Sequence, residues 1–183
     1  MTVTGLLLAA GAGRRMGMPK ALVRDDDGPW LSRSAQVLLD GGCPQVVVVL
    51  GAGADDAAPL LDGMAGVTAV RSADWAEGMG ASLVAGLAAV VTEAALVHLV
   101  DLPDVPAAAV ARVLASGGDA HDALARASYD GRPGHPVLIG RDHWDGVRAA
   151  AIGDRGAREY LATHITALVE CGDLATGTDV DRR

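Results

Sequence analysis

The chain has 183 residues, half of them hydrophobic, which is long enough for one domain with a sizeable core. Its 15 basic and 23 acidic residues give a net charge of −8, which argues against a protein that binds nucleic acid or an anionic membrane through charge. Cys43 and Cys171 have no CxxC or Cys/His partner spacing, so both are expected to be reduced thiols. No apolar run is as long as a membrane helix, and we expect a cytoplasmic protein.

Short apolar runs alternate with helical patterns along the chain. Strands buried on both faces are predicted at residues 5–10, 45–50, 67–70 and 95–100. Between and after them, helices are predicted at residues 31–40, 55–61, 81–92 and 105–116. The last third predicts strands at 123–129, 137–139 and 167–170 and helices at 143–150 and 156–164. This alternation predicts a single three-layer α/β domain over residues 1–183, with a mostly parallel, mixed sheet.

The first strand opens into a glycine-rich loop, Gly11-Ala12-Gly13-Arg14-Arg15-Met16-Gly17-Met18-Pro19-Lys20, which contains the only lysine of the chain. Glycines allow backbone N–H groups to approach phosphate oxygens, and three cations supply positive charge to an acidic protein. In parallel α/β sheets ligands bind beyond the carboxyl ends of the strands, where this loop is expected to lie. The loop therefore predicts binding of a di- or triphosphate.

The segment does not match the sequence patterns of two well-known phosphate-binding loops. A Walker A loop requires Gly-Lys-[Ser/Thr], but here Gly17 is followed by Met-Pro-Lys. A dinucleotide-binding fingerprint requires a third glycine where Met16 stands and a helix that Pro19 would interrupt. The dinucleotide loop remains an alternative, as does a glycine turn with a purely structural role.

The run L-A-A-G-A-G-R-R-M-G-M-P-K resembles the L-A-A-G-x-[SG]-x-R-M-G-x-P-K loop of the molybdenum cofactor nucleotidyltransferases. These proteins belong to the nucleotide-diphospho-sugar transferase superfamily, so the resemblance implies that fold. It also implies that Ala10 and Gly11 lie against the nucleotide base, while Gly13, Arg15 and Lys20 hold the phosphates. The Ala-Ala-Gly start is similar to the cytidylyltransferases of the family, which favours CTP.

Two later segments are similar to nucleotide- and metal-binding segments of the same family. Gly78-Met79-Gly80-Ala81-Ser82-Leu83 is similar to its G-M-G-x-S-L segment, which implies that Gly80 and Ser82 contact the nucleotide; a plain helix start is the alternative. The acid that ends a predicted buried strand matches the D-x-P-x-V segment. That resemblance implies that Asp101 is the principal ligand of Mg²⁺, a cation that binds carboxylate oxygens; an ordinary turn before Pro103 is the alternative. Asp104 is expected to start the next helix.

Two more segments resemble the acceptor side of the family's cleft. Residues 131–137 are similar to G-x-x-G-H-P-V and residues 153–158 to G-D-x-G-A-R. The resemblance implies that His135 and Asp154 face the acceptor. A cap on the following helix is the alternative for Asp154.

The acidic segment at residues 178–181 resembles the start of the family's D-x-D-T-P-x-D tail, whose acids face the metal. The resemblance implies that Asp179 or Asp181 supplies a further metal ligand, and a solvated tail is the alternative. The chain departs from the pattern at Arg182 and Arg183.

Taken together, the resemblance implies nucleotidyl transfer from a nucleoside triphosphate to the phosphate of molybdopterin or its molybdenum form. The first loop favours CTP as that triphosphate. Arg15 and Lys20 are the expected catalytic residues, Mg²⁺ the cofactor, and a molybdoenzyme or cofactor chaperone a candidate protein partner. Two alternatives stay open. One is an NAD(P)H-dependent oxidoreductase of the nicotine blue oxidoreductase type; the other is a nucleotide-binding cofactor chaperone without catalysis.

Overall fold

A seven-stranded sheet runs through the centre of the computed structural model, which describes residues 2–118 and 120–181. Its strands, in chain order, are β1 (Val3–Ala9), β4 (Gln45–Leu50), β5 (Val67–Arg71), β6 (Ala94–Leu99), β7 (Leu124–Tyr129), β8 (Arg132–Gly140) and β9 (Ala167–Glu170). A separate two-stranded hairpin pairs β2 (Arg24–Asp25) with β3 (Gly28–Pro29). In space the large sheet has the order β5-β4-β1-β6-β8-β7-β9, and β8 alone runs against its two neighbours. The predicted mostly parallel, mixed sheet is confirmed.

Helices cover both faces of the sheet. They are α1 (Trp30–Asp40), α2 (Ala54–Ala57), α3 (Met79–Ala89), α4 (Ala107–Ala115), α5 (Trp144–Ala150) and α6 (Arg158–Thr163). Alternate residues of β1 enter different cores: Leu7 packs in the core that contains α1 and α4, and Leu6 in the core that contains α3, α5 and α6. This alternation follows from the two-residue period of a strand and gives the predicted three layers.

Most predicted elements occur close to their predicted bounds, because strands buried in a parallel sheet are apolar along their whole length. All seven residues of β1 are buried. β5 is different: it forms one edge of the sheet, and Thr68, Ala69 and Arg71 are exposed, so the prediction that it is buried on both faces was wrong. A short run such as residues 67–70, apolar except for Thr68, does not distinguish a central strand from an edge strand.

Two other segments differ from the prediction in type or length. The helix predicted at 55–61 is one α-helical turn followed by a 3-10 turn at Ala58–Leu61, since Pro59 lacks the N–H that an α-helix needs. The strand predicted at 137–139 lies within the longer β8, which has nine residues. Cys43 and Cys171 are buried free thiols, and burial raises the pKa of Cys43 to about 12. No helix among the described residues combines the length and the apolar character that crossing a membrane requires.

Candidate active site

The glycine-rich loop folds back on itself directly after β1. The N–H of Met16 donates to the carbonyl of Gly13 at 2.8 Å, and the N–H of Lys20 donates to that of Gly11 at 3.2 Å. Gly13 has a φ of +56°, and a Cβ there would lie 2.0 Å from the carbonyl oxygen of Met18. Only glycine fits such a position, so the backbone of this loop depends on it.

Ala10 and the first four residues of this loop form one wall of a cavity of about 340 Å³, called here the loop cavity. Lys20, Trp75, Ser82 and Asp101 also line it. Ala10, Gly11, Gly13, Lys20 and Ser82 of the predicted nucleotide-binding set therefore lie around one space.

Gly80 and Trp75 differ from the sequence-based prediction in this region. Gly80 is buried and does not line the loop cavity; a Cβ there would lie 2.3 Å from the carbonyl oxygen of Ala151, so this glycine permits close backbone packing. Trp75, which the sequence did not single out, is half-buried, packs against the core that contains Ala10 and lines the cavity. A tryptophan four residues before the glycine-flanked start of α3 was a sequence signal for such a position.

Three carboxylates meet beside the loop. Asp101 follows β6, and one ligand oxygen from each of Asp101, Asp179 and Asp181 lies within 4.8 Å of the others. The ammonium group of Lys20 donates to Asp101 and, at 2.7 Å, to Asp181. Arg15 is mostly exposed and reaches Asp181 at 3.4 Å. The structure thus brings five predicted site residues into one cluster.

The charges within this cluster stabilise one another. Partial burial alone would lower the pKa of Lys20, but the hydrogen bonds that its ammonium group donates to Asp101 and Asp181 outweigh burial and raise that pKa. The hydrogen bond from Lys20 lowers the pKa of Asp181. At neutral pH Lys20 is therefore an ammonium ion and Asp181 a carboxylate.

The acidic tail reaches the cluster because two contacts fix it. The carboxylate of Asp104 accepts hydrogen bonds from the N–H and the hydroxyl of Thr176, at 2.8 and 2.6 Å. The N–H of Val180 donates to the carbonyl of Asp101 at 2.9 Å, directly between the two tail acids. The expectation that Asp104 starts a helix was wrong, since α4 begins at Ala107 and Asp104 instead holds the tail. Arg182 and Arg183 lie outside the described residues.

This carboxylate cluster fits a divalent cation. Its ligand atoms are all oxygens, the donors that Mg²⁺, Mn²⁺ and Ca²⁺ prefer. Asp101 is buried, which favours a fixed ligand position, whereas the side chain of Asp181 is 37% exposed. Lys20 now supplies positive charge at the place where such a cation would lie.

A second, wider cavity of about 730 Å³ adjoins the cluster and is called here the wide cavity. Lys20, Asp101 and Asp154 line both cavities, and His135, Asp179 and Asp181 line the wide one. Asp154 lies in a 3-10 turn, and no side chain caps α6, so the alternative that it caps that helix was wrong. Burial, with smaller contributions from His98 and Arg126, lowers the pKa of His135 to about 3, so its ring is neutral at pH 7.

Comparison with known proteins gives one family and two named relatives. The model of the MobA-like NTP transferase domain family matches residues 5–168. A protein named nicotine blue oxidoreductase from Paenarthrobacter nicotinovorans is 39% identical over 98% of this chain and 92% of its own length. A protein named probable molybdenum cofactor guanylyltransferase from Chloroflexus aggregans is 35% identical over 70% of this chain and 60% of its own length.

Solved structures agree with the fold. Rv0371c of Mycobacterium tuberculosis H37Rv superposes with a TM-score of 0.80 at 27% identity, covering 100% of this chain and 94% of that one. Its homologue from Mycobacterium sp. strain JC1 has a TM-score of 0.80 at 30% identity, covering 98% and 90%. A further structure of Rv0371c is described as a complex with manganese, with a TM-score of 0.75 at 26% identity, covering 98% and 94%.

Proposed function

The chain belongs to the MobA-like NTP transferase domain family, and from this premise we propose that it moves a nucleoside monophosphate from a nucleoside triphosphate to a phosphorylated pterin acceptor. One observation carries the proposal. A glycine-rich loop, one ammonium group and three carboxylates meet where two cavities adjoin, and these are the groups that a triphosphate with its divalent cation requires.

In this proposal the loop holds the triphosphate. The backbone N–H groups near Gly11 and Gly13 face the phosphate oxygens, and Arg15 and Lys20 neutralise their charge. The loop is tied by its own hydrogen bonds before any ligand enters, so little reorganisation opposes binding. Ala10, Gly11 and Ser82 would contact the base or ribose, while Gly80 would act by keeping Ser82 in place.

The acceptor phosphate would enter through the wide cavity, past His135 and Asp154. One of its oxygens forms a bond to the α-phosphorus, the bond from that phosphorus to the bridging oxygen of the β-phosphate breaks, and pyrophosphate leaves with the electron pair. A phosphate monoester is already anionic at neutral pH, so the step needs no general base. Positioning and charge neutralisation supply the catalysis.

Asp101, Asp179 and Asp181 would hold the cation, with Mg²⁺ as the proposed ion and the manganese complex of Rv0371c as support for a divalent metal in the family. A divalent cation supplies charge neutralisation of the triphosphate. Once these carboxylates have another cationic partner, Lys20 can exchange its hydrogen bonds to Asp101 and Asp181 for bonds to phosphate.

For the base we propose CTP, supported by the Ala9-Ala10-Gly11 start of the loop. The guanylyltransferase name of the Chloroflexus relative makes GTP the competing donor. Molybdopterin or its molybdenum form is the proposed acceptor.

The test is transfer of α-labelled phosphate from each of the four triphosphates to molybdopterin with Mg²⁺, and Asp101→Asn is the inactive control. Labelled product from CTP with equal release of pyrophosphate is expected, and label from GTP alone would contradict the choice of base.

A second candidate function is favoured by one observation. The relative named nicotine blue oxidoreductase is 39% identical over nearly the whole chain. A reductase would bind NADH or NADPH without needing the carboxylate cluster, so Asp101→Asn would leave dinucleotide binding intact. The transferase proposal expects binding of a triphosphate that depends on Mg²⁺ and is lost in Asp101→Asn.

A further inference from the structure

Two arginines of the wide cavity have no role in the proposed function: Arg126 belongs to none of the motifs, and Arg158 is the last residue of the G-D-x-G-A-R segment at residues 153–158. Arg126 lies on β7 and is half-buried, and its Nε and Nη2 atoms donate to the carbonyl oxygen of Gly134 at 3.2 and 3.1 Å. Arg158 is the first residue of α6 and is exposed. Both line the wide cavity.

These arginines differ from the other cations of that cavity. Lys20 pairs with Asp101 and Asp181, Arg15 with Asp181, and Arg155 with Glu159. Within residues 2–118 and 120–181, neither Arg126 nor Arg158 has a carboxylate within 4.0 Å. Their charge therefore remains available to a ligand on a protein whose net charge is −8.

The two guanidinium groups also act on each other. Burial lowers the pKa of Arg126, and the nearby charge of Arg158 lowers it further. Two like charges that line one cavity repel, the more so because Arg126 is partly buried, and an anion between them relieves that repulsion. Guanidinium groups suit this task because their planar forks match the oxygens of phosphate-like anions.

The sheet register gives the position of this pair relative to the carboxylate cluster. Arg126 pairs with Val137 on β8, which pairs with Val97 on β6, so Arg126 is two strands, or about 10 Å, from β6. The guanidinium of Arg126 bonds to Gly134, which precedes Val137 on β8. Because β6 is antiparallel to β8, this is also the direction from Val97 toward Asp101 on β6.

Apolar side chains lie on the wall that separates the two charged regions. Val97, Val137 and Leu161 all line the wide cavity and are part of one hydrophobic core. The wide cavity thus has the carboxylate cluster at one wall and, at another wall, two arginines without a carboxylate partner. An apolar surface lies between them.

We propose that Arg126 and Arg158 form an oxyanion subsite for the acceptor, which is then a phosphate monoester carrying a second oxyanionic group beyond an apolar or ring-shaped body. The inference rests on the proposed function, since it assigns the wide cavity to the acceptor. The second group is a carboxylate or phosphate of the acceptor, or the oxyanion of a metal that it carries.

Inorganic phosphate and molybdate, titrated separately against the whole chain, test the subsite. The Nε–Hε NMR signals of arginine report the binding directly. We expect the signals of Arg126 and Arg158 to shift with at least one of these anions, and the affinity to fall about tenfold in Arg158→Gln, which removes an exposed charge without disturbing the core. The anion that binds more tightly identifies the chemistry of the acceptor's second group.

Three further variants make the result decisive. Arg126→Lys keeps the charge and loses the planar fork, so it should weaken binding less than Arg158→Gln. Arg71→Gln makes the same charge change at an exposed position outside both cavities and should leave the affinity unchanged. Anion binding that survives Arg158→Gln but is lost in Lys20→Ala would overturn the subsite, because the anion would then occupy the glycine-rich loop alone.

The subsite and the proposed function can fail separately. Stabilisation of the wild-type chain by a triphosphate with Mg²⁺ tests the function, and the arginine signals test the subsite. Stabilisation by the triphosphate without any shift of the arginine signals would overturn only the subsite.

Discussion

Lys20 can donate hydrogen bonds to two sets of acceptors. These are the carboxylates that it contacts in this structure and the phosphates of the proposed substrate. Its ammonium group donates to Asp101 and Asp181, so it lies close to the oxygens that would bind a cation. A residue in this position competes with that cation in the ligand-free protein and neutralises phosphate charge during the reaction.

Lys20→Ala therefore has two opposite expected effects. Turnover, measured as pyrophosphate release, should fall at least about 100-fold, as when one stabilising donor is removed from a charged transition state. The affinity for Mn²⁺, measured by electron paramagnetic resonance, should rise, because three carboxylates lose the cation that competes for them. Arg71→Ala, outside both cavities, is the control for a lost positive charge. Turnover within twofold of wild type would contradict the role of Lys20.

Several site residues could be predicted from the sequence because their motifs lie at strand ends. Lys20 and Asp101 follow β1 and β6, and the carboxyl ends of parallel strands lie at one edge of a sheet, as was predicted for the first loop; that β1 and β6 are neighbours is known only from the structure. Other contacts depend on three-dimensional packing. The hydrogen bonds from Thr176 to Asp104 join residues 72 positions apart, and neither spacing nor composition indicates them. Arg126, a lone charge inside an apolar strand, was a signal that the sequence analysis did not use.

At the scale of elements, the bounds of strands could be predicted, but the place of a strand in the sheet could not. β4 and β9 begin and end at the predicted residues, because each is a short apolar run between polar segments. β5 lies at an edge, and its exposure depends on the absence of a neighbouring strand rather than on its own residues. The reversed direction of β8 likewise depends on its short connection to β7, which joins antiparallel strands.

The glycine-rich loop gives a matched pair of substitutions. Gly13 and Gly17 both have positive φ, of +56° and +75°, so alanine costs about 1 kcal/mol at either position. At Gly13 the new Cβ would also collide with the carbonyl of Met18, whereas at Gly17 nothing lies within 4 Å. We expect Gly13→Ala to lose affinity for the triphosphate at least about tenfold more than Gly17→Ala, measured by calorimetry. Equal losses would contradict the importance of this close backbone approach.

At the scale of the whole molecule, two histidines couple stability to pH. Burial lowers the pKa of His98 to about 4, against a smaller raising effect of Asp104, and the pKa of His135 is lowered to about 3. Unfolded histidine titrates near 6.5, so between that pH and about 4 the unfolded chain binds more protons than the folded one. The free energy of unfolding should therefore fall as the pH falls through this window.

His98→Leu isolates the contribution of one ring. His98 is almost completely buried, and its Nδ1 atom has no hydrogen-bond partner among the described residues. The variant should lose part of the pH dependence, on the order of 2–3 kcal/mol between pH 6.5 and 4. Urea unfolding at several pH values measures it, with the exposed His164→Leu as the control. Identical slopes for wild type and His98→Leu would show that this ring does not titrate as described.

Glu170 contributes its pH dependence in a lower window, which overlaps that of the histidines only below about pH 4.5. Its carboxylate accepts hydrogen bonds from the hydroxyl of Ser128 and from the N–H groups of Gly172, Gly131 and Asp130, which together lower its pKa to about 2. A lowered acid pKa contributes stability above the unfolded value of 4.5 and loses it as the pH falls toward 2. Losses between pH 6.5 and 4.5 therefore report on the histidines.

The measurement that tests the central claim most directly is thermal unfolding with CTP, GTP and NADPH, each with and without Mg²⁺. A ligand at about 100 times its Kd adds about 2.7 kcal/mol, or several degrees for a chain of this size. We predict a rise in Tm with a nucleoside triphosphate that requires Mg²⁺ and disappears in Asp101→Asn. A rise with NADPH alone, independent of Mg²⁺ and unchanged in Asp101→Asn, would contradict the transferase account.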